Sequence, residues 1–376
     1  MKYYQTMTVH YKTILVFATL FFLNPTCMRA QSDSTRLALE IFNSAISVTE
    51  QNNAVFPVLM RSGFESEYRS LKDSLLTELT THGMSADEAV GRYIYWFFKN
   101  FDRHMQCSTD FFGQLMPAGF VNYQEVIPQY DPQPVGCKVD DDTYLLRLPS
   151  CGGDSPTLEW LQKKKEEFLQ SGCEYLILDL RGNVGGSDEY SLLFTEMMCD
   201  CSAMKDEVVM YLNSSENNKM LTKMYEANPD STIQRVLEEA SSTPAGTLIN
   251  WNTILKGTDN YTPLVRKGAI IIDNFCASAG ESPIRMVRNH SKSHAVVYGR
   301  ESTMGADKSG NCNFIQLPNS DITIIYPMCV DMEIERTCKM RSPGHQPDII
   351  IPLPYPRQLT DNIDEWVLWV AKDMKN

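Results

Sequence analysis

Two short segments of this 376-residue chain carry side chains of the types and spacing that acyl-transfer chemistry needs. The first is Phe275-Cys276-Ala277-Ser278-Ala279-Gly280-Glu281. Ser278 stands between small residues that let a second backbone approach. An apolar run, Gly268-Ala269-Ile270-Ile271-Ile272-Asp273, precedes it, and a helical pattern follows from Ala279 to about Asn289. A hydroxyl at such a strand-to-helix turn sits in the positive potential of the helix start. The Ala279 amide follows it, in position to face a developing oxyanion. The same residues also fit a capping box, in which Ser278 caps the helix and Glu281 reaches back. Taken alone, the segment favours the cap, because serine caps are common.

The second segment is Asp179-Leu180-Arg181-Gly182-Asn183-Val184-Gly185-Gly186, after the apolar run Tyr175–Leu180. Gly182, Gly185 and Gly186 open backbone conformations closed to other residues. Amides in such a turn can form an anion-binding nest, and the segment also reads as a plain tight turn. Its glycine spacing does not fit the dinucleotide fingerprint.

Both segments need elements to hold them. From Thr143 onward strand patterns alternate with helical ones. Strands are expected at Tyr144–Leu148, Tyr175–Leu180, Val208–Leu212, Gly268–Asp273 and Ala295–Tyr298. Helices are expected at Ser155–Gln170, Asp188–Met198 and about Asn362–Met374, with a polar helical insertion at Ser215–Ser241. Phe314–Leu317 and Ile322–Tyr326 flank Pro318-Asn319-Ser320-Asp321 and read as a hairpin. This alternation predicts an α/β core with a mostly parallel sheet, whose sites lie where loops leave the strands. Before the core, helical patterns begin at Ser34 and, with a capping signal, at Ser85. Phe120–Val135 reads as a loop. The expected organisation is a leader at 1–30, a helical domain at 31–110, a linker at 111–140 and a catalytic domain at 141–376.

The bulk properties narrow the class. Hydrophobic residues make up 43% and charged residues 22%, as in soluble globular proteins. The formal net charge is −13, without a basic stripe, so nucleic acid is not an expected partner. Thr13–Leu23 is an apolar run of leader length, broken by Pro25 and followed by Met28-Arg29-Ala30. Cleavage after Ala30 is expected, which predicts an exported, periplasmic or extracellular protein without a stable membrane span. Removal of Cys27 leaves ten of the eleven cysteines, and an even count permits disulfides outside the cell. Cys173 and Cys276 read as buried thiols. No CxxC pair occurs, so no metal site and no cofactor are expected.

Two later segments complete a pattern: Gly299-Arg300-Glu301-Ser302-Thr303-Met304-Gly305 and Gly344-His345-Gln346-Pro347-Asp348-Ile349. With Asp179–Gly186 and Cys276–Glu281, these four stand in the order seen in C-terminal processing peptidases, or tail-specific proteases. The chain resembles that family and its tricorn and retinoid-binding-protein relatives over roughly 140 to 352. The resemblance implies a crotonase-like (ClpP/crotonase) core behind the N-terminal helical domain. It implies Ser278 as nucleophile, Gly186 and Ala279 as oxyanion-hole amides, and a peptide or protein substrate.

The departures shape the rest of the site. Tail-specific members carry a lysine directly after the last glycine of the third segment, where this chain has Ala306. Lys308, two residues on, is an alternative base. Other branches use a histidine ahead of the core, and Asn100-Phe101-Asp102-Arg103-His104-Met105 is a partial match. His104 is therefore the preferred base by resemblance, ahead of His345 and His294. Glu333 and Glu335 are the acids near the position of a third member, but its most natural place holds Arg341, so that role is open. The stretch from His104 to Thr143 is too short for the family's peptide-binding PDZ module. The expected function is an exported serine-type peptidase. The alternative is a catalytically silent peptide- or ligand-binding relative. A crotonase-like acyl-thioester enzyme is disfavoured by export.

Overall fold

In the computed structural model the described residues are 33–115, 133–152, 156–200, 208–251, 264–289, 292–333, 344–356 and 363–376. The expected leader and most of the loop expected at 120–135 lie outside them.

The apolar runs form one six-stranded sheet. Its strands are β2 (Val135–Lys138), β3 (Thr143–Arg147), β4 (Tyr175–Asp179), β8 (Lys267–Ile271), β10 (Ala295–Gly299) and β13 (Ile349–Ile350), in the order β13-β10-β8-β4-β3-β2. All neighbours are parallel except the β2–β3 pair. Every residue of β3 and β4 is buried, which is why these strands read as unbroken apolar runs. Alternation still sorts their side chains. Leu146, Leu176, Leu178 and Ile270 pack against the helices Leu158–Gln170, Asp188–Thr195 and Ser282–Asn289. Leu145, Ile177, Ala269 and Ile271 pack on the other face against Trp366, Val367 and Val370 of helix Glu365–Asp373. The structure is thus mixed α/β.

A second, antiparallel sheet runs β1 (Gln106–Cys107), β12 (Thr323–Asp331), β6 (Val209–Leu212), β7 (Leu248–Asn250), with β11 (Ser309–Gln316) also on β12. The expected hairpin is β11–β12, longer than its apolar core suggests. The N-terminal helices 33–52, Glu65–Thr81 and Ala86–Asn100 share one hydrophobic cluster with this sheet. Ser85 caps the last of them by accepting from Glu88 N–H at 3.1 Å. The expected polar insertion is two helices, Ser215–Ala227 and Ser231–Ser242. Pro229 disfavours helix at Asn228, and Asp230 caps the second helix through Thr232 and Ile233 N–H at 2.8 and 3.0 Å. Leu221, Ile233 and Val236 join the same cluster. Two strands are too short to read from sequence: β5 (Cys199–Asp200) and β9 (Lys292–Ser293), which pair with each other.

Among the described residues no helix is long and apolar enough to cross a membrane. Among the described residues Cys107, Cys137, Cys151, Cys173, Cys276, Cys312 and Cys329 are free thiols, Cys173 and Cys276 among the buried ones.

Candidate active site

The glycine loop follows β4 and the serine segment follows β8. These strands are parallel neighbours, with Asp179 opposite Ile271, so the two loops leave the sheet side by side. Asn183 ties them together. Its carbonyl accepts from Ala277 N–H at 3.0 Å, and its side-chain oxygen accepts from Gly185 N–H at 2.9 Å. Its amide donates to the Leu148 carbonyl at 2.8 Å. Asp273 adds a second tie by accepting from Gly182 N–H at 2.8 Å. The Cys276 thiol donates to the Leu180 carbonyl at 2.9 Å. It is structural, and burial pushes its pKa up.

The base of the glycine loop is clamped by charge. Asp179 accepts from Arg147 at 2.7 Å and from Arg181 at 2.6 Å, and both guanidinium groups also reach Asp364, at 3.0 and 2.7 Å. All four side chains are buried. Burial would raise the Asp179 pKa, but Arg181 and Arg147 outweigh it and hold the carboxyl well below its ordinary value.

Ser278 is partly buried and has φ +52°. A left-handed serine is uncommon and places its side chain at a sharp turn. Here Ser278–Gly280 forms a single 3₁₀ turn, and the α-helix begins only at Ser282. The capping expectation is half met. Ser278 N–H donates to Glu281 Oε2 at 3.2 Å, so Glu281 does reach back. The turn's own capping position is Ala277, without a side-chain cap. Glu281 is fully buried and collects further donors: Thr303 Oγ1, Gly305 N–H at 2.9 Å and Ala306 N–H at 2.6 Å. Burial, then the nearby Asp307 charge, raises its pKa.

Gly185 (φ +108°) and Gly186 (φ +136°) need their missing side chains. Cys151 pairs with Gly186 as an isolated parallel bridge. Cys151 N–H donates to Gly185 O at 3.0 Å, and Cys151 O accepts from Ser187 N–H at 2.7 Å. In that pattern the Gly186 N–H points away from Cys151. Neither Gly186 N–H nor Ala279 N–H donates to a described residue.

His104 lies just beyond helix Ala86–Asn100 and is largely buried. Its Nδ1 is 3.0 Å from Ser309 Oγ and 3.4 Å from Asp102 Oδ1. Ser309 Oγ donates to Asp102 Oδ1 at 2.6 Å, and His104 N–H donates to the same oxygen at 2.9 Å. The stretch Thr303–Ser309 therefore touches both halves of the site. Its first part is held on Glu281, under Ser278, and its last residue meets His104. The three residue steps from Ala306 to Ser309 span at most about 11 Å.

Lys308 is engaged by acids. Its Nζ is 2.5 Å from Glu333, 3.7 Å from Asp307 and 3.8 Å from Asp331. Burial pulls its pKa down, but Asp307 and Glu333 outweigh that and hold it above its ordinary value. His345 lies beyond Thr303, which it contacts through N–H to Oγ1 at 2.7 Å, and its Nε2 is 3.0 Å from Asp307. His294 is exposed before β10, its Nδ1 3.3 Å from the Arg266 carbonyl, at the strand end remote from the loops. Glu335 and Arg341 lie outside the described residues. Among the described residues no group of three or more His, Cys, Asp or Glu could hold a metal ion.

Asp102, Ser309 and Asn183 had no role assigned from sequence. Asp102 stands in the segment quoted for His104, so proximity alone could have suggested it. Ser309 contacts His104 across 205 positions, and nothing local marks it.

Residues 142–351 match the model of peptidase family S41. No curated protein matches. Among solved structures, a candidate peptidase from Parabacteroides merdae is 15% identical, over 85% of this chain and 90% of that one, with a TM-score of 0.50. That likeness concerns the fold. A lipoprotein from Streptococcus agalactiae is 13% identical over 85% of this chain and 93% of that one, with a TM-score of 0.42. Mature CPAF is 17% identical over 62% of this chain and 50% of that one, with a TM-score of 0.39.

Proposed function

This chain belongs to peptidase family S41, and from that premise we propose that it hydrolyses peptide bonds with Ser278 as nucleophile and His104 as general base. Ser278 Oγ attacks the substrate carbonyl carbon while His104 Nε2 takes its proton. The carbonyl oxygen becomes an oxyanion, held by the amides of Gly186 and Ala279. His104 then returns the proton to the leaving amine, and water releases the acyl group by the same route. Each oxyanion donor contributes on the order of 10²–10³ in rate.

One observation carries this reading. A methyl added to Gly185 would sit 2.8 Å from Ser278 Cβ, so the glycine loop lies directly on the nucleophile's turn, while the two amides beside it donate to no described residue. The shared Thr303–Ser309 stretch supports His104 as the partner. Lys308 is the poorer base, because a lysine kept charged by Glu333 and Asp307 has no lone pair to offer.

The same proposal covers the finer organisation. The parallel sheet with its two loops suits a crotonase-like core, the helices at 31–110 serve as the N-terminal domain that brings His104, and export follows from the segment at 1–30. A linker at 111–140 and a catalytic domain at 141–376 complete it. The substrate is a peptide or protein, and no nucleic acid is involved.

A second reading has one observation behind it. Ala306 stands where tail-specific members carry lysine, as expected of a silent binding protein. Peptide cleavage by the wild-type chain, abolished in a folded Ser278→Ala variant, decides for the peptidase. Cleavage retained by that variant decides against it.

A further inference from the structure

We infer that Asp102 and Ser309 are positioning residues that fix His104 in the tautomer a base requires, so that an Asp102–Ser309–His104 relay serves Ser278. This rests on the reading of His104 as base. The distances determine where each proton lies. A carboxylate only accepts, and a hydroxyl has a single proton. Ser309 Oγ is 2.6 Å from Asp102 Oδ1, the length of a charge-assisted O–H···O⁻ bond, so the hydroxyl proton is spent there. Towards His104 Nδ1, 3.0 Å away, Ser309 can then only accept. His104 must carry its ring proton on Nδ1, which leaves the Nε2 lone pair free.

The surroundings make this arrangement specific. Asp102 Oδ1 also accepts the His104 backbone N–H at 2.9 Å, which locks the carboxylate to the histidine's own turn. Asp102 is 4% exposed, and its Oδ2 is buried with no hydrogen-bond partner. No described cation pairs with it except the His104 ring, 3.4 Å from Oδ1. Its charge is therefore directed at the imidazole. When Nε2 takes the Ser278 proton, Nδ1–H stays in place, and the imidazolium faces Asp102 through the Ser309 hydroxyl. Asp102 itself takes no proton. Ser309 opens β11, paired opposite Val330 of β12, so the relay is fixed by a sheet rather than a free loop. It also lies three residues after Ala306, whose amide is held on Glu281, and the relay is thereby tied to the Ser278 turn.

The test uses the full chain labelled with ¹⁵N-histidine, with His104→Ala identifying the His104 signals. The wild type is expected to show a protonated Nδ1 and an unprotonated Nε2 in the neutral ring. Ser309→Thr, which keeps the hydroxyl, should retain that tautomer and most of kcat. Ser309→Ala should lose the preference, and kcat for peptide cleavage should fall about 10- to 100-fold, as for one hydrogen bond to a charged group, with KM held. A wild-type ring protonated on Nε2, or Ser309→Ala with unchanged tautomer and kcat, overturns the relay. An unreactive Ser278 beside the expected tautomer overturns the peptidase reading and leaves the relay standing, since the ring nitrogens report it without turnover.

Discussion

Gly185 lies against the nucleophile candidate Ser278. A Cβ built on Gly185 would be 2.8 Å from Ser278 Cβ and 2.9 Å from the Ala277 carbonyl oxygen. Gly186 is tighter still: its Cβ would fall 1.8 Å from the Cys151 carbonyl oxygen. Both glycines also have positive φ, where a side chain is strained.

Alanine at either position should therefore act in different ways. Gly185→Ala should fold with a loss of about 1–3 kcal/mol from backbone strain and should lose cleavage, because Ser278 must shift. Gly186→Ala should lose more stability, since its Cβ would fall 1.8 Å from the Cys151 carbonyl oxygen and 2.4 Å from Gly152 N, a far closer clash with backbone than at Gly185. Urea unfolding and a peptide-cleavage assay separate the two. Full activity in Gly185→Ala would contradict the close packing.

His104→Ala should lower kcat by about 10²–10⁴-fold, the usual contribution of a general base, with little change in thermal stability. Lys308→Met should leave most of kcat. The reverse pattern would transfer the base role to Lys308.

The Arg147–Asp179–Arg181–Asp364 cluster should be costly to break. Asp364→Ala leaves two buried guanidinium groups short of a partner, at about 3–5 kcal/mol. It also removes the cap on helix Glu365–Asp373, where Asp364 accepts from Trp366 and Val367 N–H at 2.9 and 3.2 Å. The pH dependence follows from Asp179. Its folded pKa is depressed below the ordinary 3.8, so it contributes stability above that pH and loses it as pH falls through the folded value. The stability gap between wild type and Asp179→Asn should be widest near neutral pH and narrow below pH 3.8. Urea midpoints across that range measure it, and a gap that widens in acid would contradict the depressed carboxyl.

The segment matching the family model should not fold alone. Ala54 N–H donates to the Pro327 carbonyl at 3.0 Å, and the Asn217 amide donates to the Asn52 carbonyl at 2.8 Å. Phe42, Tyr93 and Phe97 share a cluster with Ile324 and Met328 of β12. A fragment starting at residue 133 would expose that apolar face and should be insoluble, whereas the chain from residue 33 should not be. Equal solubility of the two would count against a shared core.

Much of the parallel sheet was legible because fully buried strands write themselves as apolar runs. Tyr175–Asp179 and Lys267–Ile271 are the clearest cases. The antiparallel sheet was not, apart from the hairpin at its centre. β1 has two residues and β7 three, too few for a period to show, and their partners lie far along the chain. The Ser278 turn was legible as a motif but not as a conformation. Ser278-x-x-Glu281 suggested a cap, yet Glu281 also gathers donors from Thr303, Gly305 and Ala306, 22 to 25 positions away. His104 stood out only through resemblance. Its contact with Ser309 depends on a helix end meeting a strand start, which no local pattern encodes.

The central claim is that Ser278 is an activated nucleophile. Treating the full chain with a fluorophosphonate probe and mapping the adduct by peptide mass spectrometry tests it most directly. Modification of Ser278, strongly reduced in His104→Ala and absent in Ser278→Ala, is the expected result. An unlabelled Ser278 at high probe concentration, or an adduct on another serine, would contradict it.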